Sequence, residues 1–225
     1  MSQLLAKASG GSAVIVASVL GDALGRVVDG TTAPTARDRV AGVDANVTWM
    51  SPPSSENDPM REAHSGTPSA ATMRALALVE SALLGPDDGE ALVVDALRRT
   101  CSLAFPWNAR TPMGALLGPA TPLQGAVRAY AEARPALSCA SETADASLLT
   151  AAALLGAIKV ELPRAALLLR STTRDPVTLC ACMALSDVIR QAVTGKVAAG
   201  NLVKMAREAE EKALDVLRGL PGTLS

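Results

Sequence analysis

Acidic side chains are the residues of this sequence whose positions most suggest chemistry. Asp22 stands at the end of the apolar run AVIVASVL, inside the stretch GDALGRVVDG, and Asp29 follows in the same stretch. Glu56 and Asp58 lie further on, in the polar segment SSENDP. Carboxylates bind divalent cations and serve as acids and bases, so these four residues are candidate site residues. The alternative for Asp22 is structural: its oxygens accept backbone N–H groups of a neighbouring turn in an otherwise dry core.

Other common reaction centres have no motif in this sequence. It contains no P-loop, no dinucleotide-binding fingerprint and no HExxH pattern. The single histidine, His64, lies in a polar loop, where a solitary histidine is more often solvated than catalytic. Glu142 and Asp145 are interpreted as acids that open a helix, which the helix dipole favours. These patterns argue against nucleotide-dependent enzymes, zinc proteases and a serine–histidine–aspartate triad.

The four cysteines are predicted to be buried free thiols. Cys180 and Cys182 are separated by one residue in a helical pattern, so they point to different sides of the helix and suit joint metal ligation poorly. Because the chain has only one histidine, a zinc site is disfavoured. The thiols are therefore expected to act as small hydrophobic side chains.

Charge and composition favour a soluble protein that works inside the cell. The 21 basic and 22 acidic residues nearly cancel, which gives no electrostatic reason to expect nucleic acid or an anionic membrane as a partner. No apolar run reaches the length of a membrane span, and the first residues lack the long apolar core of a signal peptide. A cytoplasmic location is expected, with an organelle left open.

The pattern of apolar residues predicts an all-α fold with seven or eight helices in a single domain over residues 1–225. Alanine and leucine dominate, aromatic residues make up only 2% of the chain, and apolar positions recur at helical spacing. The first helix, residues 12–24, is apolar all round, which predicts a central and buried position. A long polar loop is predicted at residues 29–68, because SPPSSENDP cannot be helical throughout.

The remaining helices are predicted from their apolar stripes. One begins after Pro68 with Leu76, Val79 and Leu83 on its inner face and stops at Gly85. The others cover a segment from about Asp88 with Val93, Leu97 and Cys101 on one stripe, followed by LQGAVRAYAEA, ASLLTAAALLGAI, DPVTLCACMALSDVIRQAV and NLVKMAREAEEKALDVLRGL. The last helix places apolar residues from Leu202 to Leu220 on one side and most of its charges on the other.

Two motifs, in order and at suitable spacing, resemble those of the ADP-ribosylglycohydrolase family. Gly21-Asp22-Ala23-Leu24-Gly25 matches the family's first signature, and the family's following Pro-Val-Glu is here Val27-Val28-Asp29. The segment SAATMRALALVESALLG resembles the family's Thr-Asp-Asp-Thr motif and the helix that follows it, and SETADASLLTAAALLGAI is a weaker third echo. The resemblance, over roughly residues 12–195, implies an all-α fold and an ancestry in proteins that bind two Mg²⁺ ions.

The same resemblance implies that the reaction centre is lost. The family's two metal-binding aspartates fall on Ala70 and Ala71, beside Thr72, and its histidine falls near Glu142. The family's late Asp-x-Asp-Thr motif has no counterpart. An alanine methyl group offers no oxygen to a hard cation, so the expectation is a degenerate former metal site with no Mg²⁺ and no other cofactor, and with Asp22 and Asp29 as residual acids.

Two functions remain open at this stage. The first is a catalytically inactive family member that serves as a structural or binding subunit of a larger assembly of protein chains. Its interface candidates are Phe105, Trp107 and Trp49, since aromatic residues are favoured as interface anchors, although Phe105 and Trp107 could equally fill the protein's own core. The second is a divergent hydrolase that removes ADP-ribose or cleaves a related N-glycoside. The long loop is expected to be ordered by contact with another chain.

Overall fold

Helices account for nearly all of the regular structure in this protein. The computed structural model describes residues 11–22, 69–104, 122–195 and 201–220. These residues form eight α-helices and no β-strand, which confirms the all-α prediction. The helices are α1 (Gly11–Asp22), α2 (Ala70–Leu84), α3 (Gly89–Ala104), α4 (Pro122–Ala131), α5 (Leu148–Ala157), α6 (Leu162–Arg170), α7 (Pro176–Val193) and α8 (Leu202–Gly219).

The centre of the core is α5. This helix is short and apolar, LLTAAALLGA, and seven of its ten residues are buried. It packs between α2 and α7, and its Leu154 and Leu155 are fully enclosed. A helix with apolar residues on every side must be covered over most of its surface, and α5 is covered except near its start, where Leu149 is 41% exposed.

The predicted central position of the first helix is wrong. None of the residues of α1 is buried, and Val16 and Leu20 are 56% and 42% exposed. Only one side of α1, with Val14 and Ile15, packs against the main core. Both α1 and α5 are apolar on all sides, so their sequences do not indicate which of the two occupies the centre of the core. In the folded chain, α5 occupies it.

The crossing of α5 and α7 depends on a glycine. A Cβ atom built on Gly156 would collide with the carbonyl oxygen of Ser186 and lie 3.1 Å from the Cβ of Ile189. The backbones of the two helices therefore approach more closely than any side chain at residue 156 allows. Small residues in the same helix, such as Ala151 and Ala152, are fully buried as well, so close packing replaces bulky side chains in this core.

Helix α2 begins and ends where the sequence predicts. Ser69 is its N-cap, with Oγ accepting from the N–H of Thr72 at 3.4 Å, and the N–H of Gly85 closes the last turn on the carbonyl of Ser81 at 2.9 Å. The predicted inner face is only partly right. Val79 is buried, but Leu76 is half-buried and Leu83 is 64% exposed.

An arginine from α6 binds the carboxyl end of α2. The guanidinium of Arg164 donates to the carbonyls of Pro86 and Gly85, both at 3.1 Å, and to that of Ala82 at 3.3 Å. The last carbonyls of a helix lack partners within the helix, and a cation there also complements the helix dipole. Arg164 therefore holds the end of α2 against α6.

Substitution of Arg164 by alanine is expected to lower the free energy of unfolding by about 1–2 kcal/mol, because several carbonyls lose a charged donor. Urea titration followed by circular dichroism would measure the change. Arg164→Lys is the matched control: it keeps the charge but lacks the planar fork, so it should recover only part of the loss. An alanine variant as stable as the wild type would contradict this role.

The sequence did not indicate α6. Its segment LPRAALLLR contains Pro163 in the first turn, where a proline is tolerated, after Glu161 at the N-cap position.

The apolar stripes predicted for α3 and α8 are mostly confirmed. Val93, Leu97 and Cys101 are buried on α3, and Met205, Ala209 and Ala213 are buried on α8, whereas Leu202 is 55% exposed.

One helix in the described residues, α7, is long and apolar enough by length and composition to cross a membrane. It also carries Asp187, whose side chain is fully enclosed and ion-paired with Arg190 of α7 and Lys212 of α8. A helix that packs inside a soluble protein passes the same test, and the fold is compatible with a soluble protein.

Candidate functional site

Asp22 lies at the junction of α1 and α2. As the last residue of α1, it is half-buried, and its Oδ2 accepts a hydrogen bond from the backbone N–H of Ser69. Ser69 is the N-cap of α2, so the carboxylate lies at the end of a helix where the dipole favours negative charge. This contact agrees with the structural interpretation of Asp22: the acid at the end of an apolar helix ties α1 to the start of α2.

The first turn of α2 contains the residues predicted to be a former metal site. Ala70 is the first residue of the helix, Ala71 follows it and is half-buried, and the side chain of Thr72 is buried. Two alanines supply no ligand, and Asp22 beside them already accepts a backbone N–H. Among the residues that the structure describes, no group of three or more His, Cys, Asp or Glu side chains could hold a metal ion. The described residues therefore do not fit a pair of Mg²⁺ ions, which need several oxygen ligands each.

A buried ion pair lies one turn further along α2. The Arg74 side chain is fully enclosed, and its Nη1 donates to Asp145 Oδ2 at 2.7 Å. Its Nη2 donates to Ser147 Oγ at 2.5 Å. Asp145 is itself only 6% exposed. A charged pair this far from water is stable only when further hydrogen bonds satisfy it.

Both oxygens of Asp145 are used. Oδ1 accepts from the N–H of Ser147 at 3.1 Å and from its hydroxyl at 2.5 Å, while Oδ2 faces Arg74. Burial acts to raise the pKa of Asp145, but the hydrogen bond and charge of Arg74, with the bonds from Ser147, outweigh it and lower the pKa. The carboxylate stays ionised and fully engaged, so it is not available as a general acid or a metal ligand.

The same network reaches α7. The backbone N–H of Asp145 donates to Thr178 Oγ1 at 3.2 Å, and that hydroxyl in turn donates to Asp175 Oδ2 at 2.5 Å. Asp175 is the N-cap of α7 and also accepts from the N–H of Thr178 at 2.8 Å. We refer to Arg74, Asp145, Ser147, Thr178 and Asp175 as the Arg74 network. It joins α2, the segment before α5 and the start of α7.

Residues 141–143 and 172–174 are hydrogen-bonded to each other next to the Arg74 network. The N–H of Ser141 donates to the carbonyl of Thr172 at 3.1 Å, and the N–H of Arg174 donates to the carbonyl of Ser141 at 2.6 Å. Thr173 Oγ1 adds a hydrogen bond to the carbonyl of Thr143 at 3.1 Å. Glu142, where the family resemblance places a histidine, is exposed in this segment. These contacts position backbone rather than reactive groups.

The cysteines are free, as predicted. Burial raises the pKa of Cys101 to about 11 and that of Cys182 to about 12. Cys182 is enclosed on α7 while Cys180 is half-exposed, which confirms that the two point to different sides of the helix. Neither buried thiol is a thiolate at neutral pH, so neither is a nucleophile.

Sequence reasoning missed Arg74 and misread Asp145. The acid was expected to open a helix, yet it precedes α5 and pairs with a residue 71 positions away. In the structure, Arg74, Leu78 and Ser81 follow one another at spacings of four and three and are all fully buried. Arginine and serine at such positions are typical of a solvated face, so the sequence alone does not indicate that this stripe is buried.

Several predicted site residues lie outside the described residues. They are Asp29, Glu56, Asp58, Trp49, Phe105 and Trp107. His64 and the rest of the polar loop predicted at residues 29–68 lie outside the described residues as well. The structure brings together only Asp22 and the first turn of α2 from the predicted set.

Comparison with known proteins identifies the ancestry of the fold. The family model for ADP-ribosylglycohydrolase matches residues 6–223, nearly the whole chain. No curated protein and no solved structure gives a match. The eight helices in the described residues agree with the all-α fold that the resemblance implied. On the extent of this match, the chain belongs to the ADP-ribosylglycohydrolase family.

Proposed function

We propose that this family member does not hydrolyse ADP-ribose bonds and instead serves as a structural or binding subunit of a larger protein assembly. The observation that carries the proposal is the start of α2, which the structure places at Ala70 and Ala71, the two residues on which the family resemblance places the aspartate ligands. A two-metal site activates the nucleophile and neutralises developing charge, and it needs oxygen ligands on both ions.

The engagement of the neighbouring acids supports the same proposal. Asp22 accepts the N–H of Ser69, and Asp145 is held by Arg74 and Ser147. Recruiting Asp145 to a new reaction centre requires breaking contacts that hold α2 to the segment before α5, and Oδ2 of Asp22 is already the acceptor that ties α1 to α2. Both acids therefore have a structural role that accounts for their presence.

We propose other protein chains as the partners and the cytoplasm as the location. The near balance of charge and the interconnected helices support a rigid domain that works through contacts. No direct contact with nucleic acid or membrane is proposed, because the sequence carries no excess of positive charge.

Addition of Mg²⁺ or Mn²⁺ is expected to leave the melting temperature of the protein unchanged. A micromolar site would stabilise the fold by about 4 kcal/mol when the ion is about a thousandfold above its Kd. For a chain of this size, each kcal/mol corresponds to roughly 2–4 °C. Isothermal titration of the same samples should show no binding heat. Micromolar binding would contradict the proposal and favour a divergent hydrolase.

The double variant Ala70→Asp/Ala71→Asp is the matched test of the lost activity. Its release of ADP-ribose from an ADP-ribosylated peptide should remain at background, because the late motif is also missing. Measurable release by the wild-type chain under the same conditions would overturn the proposal.

A further inference from the structure

A groove between α7 and α8 plays no part in the proposed function. Its volume is about 550 Å³, and its walls come from successive turns of both helices. The lining residues are mostly small or apolar: Pro176, Val177, Cys180, Ala181, Ala184, Ala206, Glu210 and Leu214. Small side chains on both walls allow another helix to approach closely.

The apolar surface continues beyond the groove. Val177 at its α7 edge is 76% exposed, and Val203, near the start of α8, is 71% exposed. Large aliphatic side chains with this exposure on neighbouring helices are typical of a contact surface. Val203 stands three residues before Ala206 of the lining on α8, and we refer to the groove lining together with Val203 as the apolar strip.

The charges on α8 indicate what covers the strip. Val203, Arg207, Glu210 and Leu214 are spaced four, three and four residues apart, so they lie on one side of the helix. Arg207 and Glu210 are exposed, and no ion pair within the described residues includes either of them. Glu210 borders the apolar groove, where it also acts with burial to raise the pKa of Cys180. Because Glu210 is negatively charged, a partner that covers the groove should place a positively charged side chain beside it.

This side of α8 is complementary to itself. If a second α8 runs antiparallel about a two-fold axis between Arg207 and Glu210, each arginine faces the glutamate of the other copy. The same register places each Val203 opposite Leu214 of the other copy. Self-complementarity of this kind is what a two-fold symmetric interface requires.

We propose that this side of α8 and the adjoining groove form the interface of a homodimer. In it, α8 of a second copy packs antiparallel across the groove, with two symmetric Arg207–Glu210 ion pairs between the copies. The inference does not rest on the proposed loss of hydrolase activity, because no residue of the α1–α2 junction takes part. One helix pair is at the lower end of stable interface sizes, so a weak, concentration-dependent dimer is expected.

Sedimentation equilibrium of the full chain over a concentration series tests the proposal. The average mass of the wild type should rise towards twice that of one chain. Arg207→Glu and Glu210→Arg should each lower the association constant at least about tenfold, because like charges then face each other. The double variant Arg207→Glu/Glu210→Arg restores both ion pairs and should associate nearly as well as the wild type.

Two further variants keep the test specific. Glu208→Arg makes the same change of charge on the opposite side of α8, so it should dimerise like the wild type. Ala181→Trp fills the groove without a change of charge and should weaken association while leaving the thermal melting unchanged. A wild type that stays monomeric in solution would overturn the proposal. A wild type that binds vesicles of anionic phospholipid as a monomer would overturn it as well. So would a double variant that associates no better than the single ones.

Discussion

Replacement of Arg74 by methionine is expected to lower the free energy of unfolding by roughly 3–5 kcal/mol. The guanidinium is fully enclosed and is the cation that faces Asp145. Methionine fills much of the same space, so the loss comes mainly from leaving the Asp145 carboxylate buried without its counter-charge. Urea unfolding followed by circular dichroism at neutral pH would give the value.

The double variant Arg74→Met/Asp145→Asn separates pairing from packing. Asparagine still accepts from Ser147 but carries no charge, so the double variant should be more stable than Arg74→Met alone. If the losses from the two single variants simply add, the two residues are not coupled, and the proposed origin of the effect is wrong.

The effect of Arg74→Met also depends on pH in a defined direction. In the wild type, the pKa of Asp145 is lowered from 3.8, so its contribution is present above that value and is lost as the pH falls through the folded-state pKa. Without Arg74, only the hydrogen bonds from Ser147 oppose the effect of burial, so this pKa rises and protonation then relieves the buried charge. The difference in stability between the two proteins should be largest at neutral pH and shrink in acid.

Substitution of Gly156 by alanine should cost about 3 kcal/mol, at the upper end of the range for overpacked cores. The new Cβ meets the carbonyl oxygen of Ser186, which is backbone of α7 and cannot rotate away as a side chain does. Relief requires α5 and α7 to move apart, and they are major components of the core. The melting temperature and the urea midpoint both measure this loss.

Gly125→Ala is the matched control. Gly125 lies on α4, is exposed, and has no atom within 4 Å of the position of an added Cβ. Alanine is a better helix former than glycine, so this variant should gain about 0.5–1 kcal/mol. If Gly156→Ala were as mild, the close crossing of α5 and α7 would not be essential to the fold.

The local rules of helix formation could be read from the sequence. Ser69 and Gly85 bracket α2 because a hydroxyl can cap the first N–H groups and a glycine readily ends a helix. The buried stripe of α3, with Val93 and Leu97, follows the helical period and is bounded by clear polar positions. These features depend on neighbours within one or two turns, and a single sequence contains them in full.

The position of each helix in the core could not be read in the same way. Both α1 and α5 are apolar on all sides, and only the packing of the whole chain makes α5 central. In the candidate site, too, one contact could be anticipated from the sequence and another could not. The bond from Ser69 to Asp22 was anticipated in kind, whereas the partner of Arg74 is 71 residues away and leaves no local trace.

The uneven burial of the thiols makes this protein convenient for labelling. Cys101, Cys139 and Cys182 are buried, while Cys180 is half-exposed in the groove between α7 and α8. A maleimide or nitroxide reagent should therefore react first at Cys180, selected by access rather than by acidity, since the pKa of this thiol is also raised. The unmodified chain thus provides its own single attachment point for a spin label or fluorophore, and a reporter attached there needs no engineered cysteine.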